Sequence, residues 1–110
     1  MHKAKKARLE KKGWKVGTAQ EFLGLSDEEA AYVEIRLRLA TALRKRRQRA
    51  HLSQTGLASR IGSSQSRVAK MEAGDPSVSL DLLIRALLAL GASSRDLARA
   101  ISHPALAEAS

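Results

Sequence analysis

The chain has 110 residues, 44% of them hydrophobic but only 3% aromatic, and no cysteine. That length suits one domain with a modest core of Leu, Ile, Val and Ala, a mix that favours helices over strands. The missing cysteine excludes a disulfide framework and a thiolate metal site. Lysine and arginine total 20 against 11 aspartate and glutamate, a net charge of +9 that points to a polyanionic partner.

The charge is clustered. Lys3, Lys5, Lys6, Arg8, Lys11, Lys12 and Lys15 form one group, and Arg36, Arg38, Arg44, Lys45, Arg46, Arg47 and Arg49 another. Residues 16–35, between them, hold Glu21, Asp27, Glu28, Glu29 and Glu34 and neither lysine nor arginine. Such clustering favours nucleic acid, ahead of an anionic membrane or an acidic protein, over a purely solubilising role. No apolar run approaches the roughly 18 residues of a membrane span, and the charged start lacks the apolar stretch of a secretory signal. A cytoplasmic location without membrane contact is therefore expected.

In chain order, residues 1–12 are Lys-rich and expected to be mobile, or helical only when bound. Thr18 and Glu21 suit a capping box and Gly24 a C-terminal stop, so a short helix is expected near Thr18 to Leu23. Trp14, Phe22, Leu23 and Leu25 are apolar enough to dock somewhere. Ser26 and Glu29 make a second capping box, with acidic residues in the following turn. Tyr32, Ile35, Leu39 and Leu43 then recur at helical spacing, widened by Val33, Leu37 and Ala40. One long helix is expected from about Asp27 to Ala50, its "RKRRQR" end suited to a helix C-terminus.

"HLSQTGLASRIG" predicts a helix capped by Ser53, with Leu57, Ala58 and Ile61 inward and a stop at Gly62. "GSSQSRVAKMEAG" predicts a third, capped by Ser63 or Ser64, with Val68 and Met71 inward and Gly74 ending it. Asp75 and Pro76 make a turn. Ser79 caps the most apolar segment, "LDLLIRALLALG", which ends at Gly91. Ser93 and Asp96 open a last helix carrying Leu97, Ala100 and Ile101, with Pro104 just past its end. No strand pattern or internal repeat interrupts this series, so the expected class is all-α: five helices behind a basic N-terminal extension. The expected divisions are an extension over 1–25, a folded domain over 26–104 containing a two-helix motif at about 53–74, and a tail over 105–110.

Two short helices joined by a tight turn form a helix-turn-helix. The first helix needs a small residue where the second crosses closely, the turn needs one that tolerates a left-handed backbone, and the second helix needs a branched apolar anchor. Ala58, Gly62 and Val68 meet these demands in order, at offsets of four and six residues. On these residues, together with Gln54, "SQSRVAKMEAG" and "SLDLLIRALLALG", the chain resembles the Cro/CI-type (Xre) helix-turn-helix regulators from about Ile35 to Leu90. A narrower resemblance is to the subgroup that includes antitoxins of the HigA type. Gly56 departs from the family, which prefers a good helix former there, and a glycine costs up to about 1 kcal/mol of helix stability.

The resemblance implies that the second helix of the motif lies in the DNA major groove with its N-terminal residues at base edges. Ser64, Gln65, Ser66, Arg67 and Lys70 are then the base-reading candidates: Gln pairs with adenine, Arg or Lys with guanine, and Ser is permissive. Ser63 and Ser64 have capping as a plainer role, and Gln65 and Arg67 that of solvent-facing residues. Gln54 and Ser53 are phosphate candidates, as are Arg44, Arg46 and Arg49. Glu72 and Arg47 stand where the family places a glutamate and an arginine, and a structural ion pair between them is the preferred reading. Trp14 and Phe22 suit packing or partner docking better than base stacking.

Three functions compete. The leading one is a sequence-specific repressor of double-stranded DNA, acting as a homodimer because one recognition helix reads too few base pairs. The second is an antitoxin that neutralises a partner toxin by protein contact and represses its own operon. An enzyme is the third and weakest: His2, His51 and His103 are scattered and no carboxylates pair up, so no catalytic, metal or cofactor residues and no small-molecule ligand are expected.

Overall fold

The computed structural model describes residues 23–102. The lysine cluster of the first 15 residues, the helix expected near Thr18 to Leu23, Trp14, Phe22, His2, His103, Pro104 and the tail lie outside the described residues, save Leu23 itself. The described residues form five helices and no strand: α1 (Asp27–Arg49), α2 (Gln54–Ile61), α3 (Gln65–Ala73), α4 (Leu80–Ala89) and α5 (Ser94–Ser102). The chain divides into two compact units, the first ending at Val33 and the second beginning at Glu34.

In the first unit, Ser26 starts α1 as a reciprocal capping box. Its backbone N–H donates to Glu29 Oε1 at 2.9 Å, and Glu29 N–H donates back to Ser26 Oγ at 3.1 Å. Asp27, Glu28 and Glu29 put negative charge in the first turn, where the helix dipole favours it.

In the second unit, the inner stripe of α1 is Arg36, Leu39, Ala40 and Leu43, at the i, i+3, i+4, i+7 spacing of one helix face. Leu39 and Leu43 join Leu57, Val68, Met71, Leu83 and Leu87 as the fully buried side chains of the core. The helix ends at Arg49, close to the expected Ala50, because His51 turns left-handed at φ 59°. Leu52 N–H then donates to Arg47 O at 3.1 Å, the closing bond of a Schellman turn whose pivot is usually glycine.

The short helices are set by their caps. Ser53 Oγ accepts from Gly56 N–H and Ser64 Oγ from Arg67 N–H, so Ser64, rather than Ser63, caps α3. Gly62 (φ 67°) and Gly74 (φ 71°) close α2 and α3 in left-handed geometry. Gly74 carries a second requirement, since a Cβ there would lie 2.6 Å from Leu37 Cδ2. Gly56 sits where a Cβ would meet Leu52 Cδ2 at 3.3 Å, so the departure noted in the sequence coincides with close packing at the start of α2. Ser79 caps α4 by accepting from Leu82 N–H. Ser93 and Asp96 form a reciprocal box at the start of α5, at 2.9 and 3.1 Å. No described helix is long and apolar enough to cross a membrane.

Candidate nucleic-acid interface

α3 has nine residues, and two of them, Val68 and Met71, are buried. Both point into the core beside Leu57 and Ala58 of α2. With that face committed to packing, Gln65, Ser66, Arg67 and Lys70 are left exposed on the other, together with the cap Ser64. The three framework positions divide the work: Ala58 is buried where α2 meets α3, Gly62 turns the chain and Val68 anchors the second helix.

Behind the exposed face runs a continuous polar chain. Arg47, near the end of α1, grips Glu72 of α3 with two parallel bonds, Nε to Oε2 at 2.5 Å and Nη2 to Oε1 at 2.9 Å. Its third donor, Nη1, reaches Leu52 O at 2.8 Å. The Glu72 side chain is only 3% exposed and that of Arg47 12%. Such a pair is tolerable because a bidentate guanidinium–carboxylate geometry satisfies both partners. The hydrogen bond that Arg47 donates to Glu72 outweighs desolvation and raises the Arg47 pKa above its already high ordinary value. Gln54 Nε2 donates to Glu72 Oε1 at 3.2 Å, and Gln65 Nε2 donates to Gln54 Oε1 at 2.7 Å.

This chain leaves specific capacity at its outer end. A primary amide carries two N–H donors and a carbonyl acceptor. Gln65 uses one donor on Gln54, so one N–H and Oε1 remain, the set needed for a bidentate bond to adenine. Gln54 likewise keeps one N–H free for an oxygen acceptor, while its carbonyl holds Gln65. Ser53 is exposed, but its hydroxyl oxygen is engaged as the α2 cap.

At the far side of the same face, Arg67 and Lys70 line a groove with Ser64, Ser66 and Ser77. Ser77 comes from the loop after α3, and its backbone N–H donates to Asp75 Oδ1 at 2.8 Å. Hydrogen bonds from Ser77, aided by the positive charges of Lys70 and Arg36, hold the Asp75 carboxyl below its ordinary range. Arg36 organises this loop from within. It is buried, and its Nη1 donates to Val78 O and, at 3.4 Å, to Asp75 O. Sequence reasoning placed Arg36 only among the basic residues and missed Ser77. The signal for Arg36 was its place in the apolar stripe of α1, where a solvated arginine does not fit.

The three phosphate candidates on α1 do not sit together. Arg44 is exposed. Arg46 pairs with Asp96 of α5 at 3.2 Å, and Arg46 and Arg49 line a groove formed with α4, α5 and the loop between them, away from the α3 face. Among the described residues, no three His, Asp or Glu side chains are grouped to hold a metal ion.

The helix-turn-helix family model (HTH_3) matches residues 43–100, just over half of the chain. The match begins later than the resemblance visible in the sequence and runs on through most of α5. Searches of the curated proteins and of the solved structures return no match. The matched span holds the capped α2–α3 pair and the polar chain behind its exposed face, and on this footing the chain belongs to the Cro/CI-type (Xre) helix-turn-helix family of DNA-binding transcription regulators.

Proposed function

We propose that this protein is a sequence-specific repressor of double-stranded DNA that acts in the cytoplasm as a homodimer on a palindromic operator, with residues 26–104 as its DNA-binding domain. The observation that carries the reading is the linked set Arg47–Glu72–Gln54–Gln65, which fixes an amide with spare donor and acceptor at the exposed start of α3. Fixing that amide before binding removes part of the ordering cost that recognition otherwise carries. Gln65 and Arg67 read base edges, assisted by Ser64, Ser66 and Lys70. Gln54, Ser53 and Arg44 hold phosphates and set the register. Arg46 and Arg49 add a weaker, longer-range attraction from their groove. A dimer places two α3 helices about 34 Å apart on successive turns of the duplex.

The test is a titration of the full chain against a selected palindromic duplex and a scrambled one, from low to moderate salt. Expected are a preference for the selected duplex and a log–log slope of about −0.9 per phosphate neutralised. Equal affinity for the two duplexes, or a flat salt plot, overturns the reading. A second reading, an antitoxin that docks a partner toxin, draws on Leu23, a large apolar side chain left 64% exposed. Co-purification with the product of an adjacent gene, lost in Leu23→Asp, tests it.

A further inference from the structure

The groove of α1 with α4 and α5 carries chemistry that the reading of base edges does not use. Its cavity measures about 120 Å³, well above the roughly 10–15 Å³ that a single water needs. Leu97 and Ala42, both partly exposed, supply the apolar wall over the buried Leu87, while Lys45, Arg46, Arg49 and Arg99 supply four cations. The single acid in the lining, Asp96, is engaged by Arg46 at 3.2 Å and Arg99 at 3.8 Å. Three positive charges are left in excess. Lys45 stands out among them. Its Nζ is buried and is, among the described residues, the buried side-chain polar atom that lacks a hydrogen-bond partner. An ammonium in that state is costly, and its flexible four-carbon stem can bring three donors onto an anion seated in the groove.

We propose that this groove binds a small carboxylate with a short apolar tail, its carboxylate held by Lys45 and Arg99 and its tail on Ala42 and Leu97. The apolar wall distinguishes such a ligand from a bare anion. Phosphate would place its oxygens against leucine, whereas a three-carbon tail buries there at no polar cost.

The experiment is a titration of the full ¹⁵N-labelled chain with sodium butyrate, followed by amide chemical shifts, with sodium chloride, sodium phosphate and butylammonium chloride at matched ionic strength. The expected result is a saturable response to butyrate, concentrated around Ala42, Leu87 and Ala92, with none to butylammonium and a weaker one to phosphate. Lys45→Met removes the unpartnered ammonium, keeps the stem, and should weaken butyrate binding about tenfold or more. Arg99→Gln, at an exposed side chain, should weaken it too, and decides the matter if Lys45→Met fails to fold. Linear shifts equal to those with chloride, undiminished binding in both variants, or phosphate binding as tightly as butyrate would each overturn the proposal.

Discussion

Behind the face of α3, the polar groups are matched to one another: Arg47 to Glu72, Glu72 to Gln54, Gln54 to Gln65. In the groove beside α5 the charges are more numerous, four cations to one acid, but Lys45 is unpartnered and the Arg46–Asp96 pair is about a third exposed on each side. Arg67 and Lys70 make the α3 face basic as well, so the sign of the charge does not tell the two regions apart. Burial and satisfaction do. A matched, buried network holds side chains in one arrangement and suits reading a fixed pattern of base edges. Unmatched cations leave positive potential, which attracts an anion without specifying its geometry.

The largest effect should come from breaking the matched region. Glu72→Ala strips the partner from a mostly buried guanidinium and from Gln54, and such a loss typically costs about 3–5 kcal/mol. Urea unfolding monitored by circular dichroism should show a midpoint shift of that size. Specific binding should fall more than non-specific binding, because Gln65 loses its fixed orientation. An unchanged midpoint would mean that Arg47 finds other acceptors and that the network is not structural.

Next in size is the contrast on DNA itself. Gln65→Ala and Arg67→Ala should each cost about 1–3 kcal/mol at the selected duplex and much less at a scrambled one. Arg46→Ala, in the groove, should weaken both duplexes alike and by less, since Asp96 already neutralises part of its charge. Competition binding at one fixed salt concentration distinguishes the two patterns. Equal losses for Arg67→Ala on both duplexes would reassign Arg67 to the phosphates.

A smaller effect tests the turn that leads into the matched region. His51 holds a left-handed backbone that glycine adopts without steric cost. His51→Gly should raise stability by about 0.5–1 kcal/mol, the relief of that strain less the entropy of the added glycine. The midpoint in urea is the readout, and a loss of stability would show that the imidazole makes a stabilising contact.

What could be read in the sequence follows the same division. The helices of the motif were legible because their limits are local: serine caps, left-handed glycines and a spacing of apolar residues that a helix alone explains. The Ala58, Gly62 and Val68 framework needed only that a close crossing, a turn and an anchor follow in order. Ser63 and Ser64 could not be separated, because both offer a hydroxyl one residue apart and the choice depends on where the turn from Gly62 delivers the chain. Arg36 was hidden for a different reason. Composition placed it in a basic cluster, and only the loop folding back from α3 supplies the carbonyls of Asp75 and Val78 that make its burial tolerable. The bonds from Gln65 through Gln54 to Glu72 join residues 11 and 18 positions apart, and no local pattern encodes them. Arg46 was grouped with Arg44 and Arg49 by charge alone, while its contact with Asp96 depends on where α5 docks.

The smallest expected effect is a pH dependence at the groove. The backbone N–H and hydroxyl of Ser93 hold the Asp96 carboxyl below its ordinary range, with Arg46 and Arg99 adding to the shift. A carboxyl depressed in the folded state contributes stability above its unfolded pKa of about 3.9. That contribution is lost as the pH falls through the lower folded value. Asp96→Asn keeps an acceptor for the Ser93 N–H but loses the charge. The variant should therefore be slightly less stable than the parent at pH 7, and the gap should close as the pH falls below about 4 and the parent's own carboxyl protonates. Urea midpoints measured for both proteins across that range provide the test, and taking the difference between them cancels the other carboxylates, Asp75 included. A gap that stays constant as the pH falls would mean that the aspartate acts through its shape as a cap and not through its charge. In that case Arg46 would be free to serve DNA, and the groove would hold one more uncompensated cation.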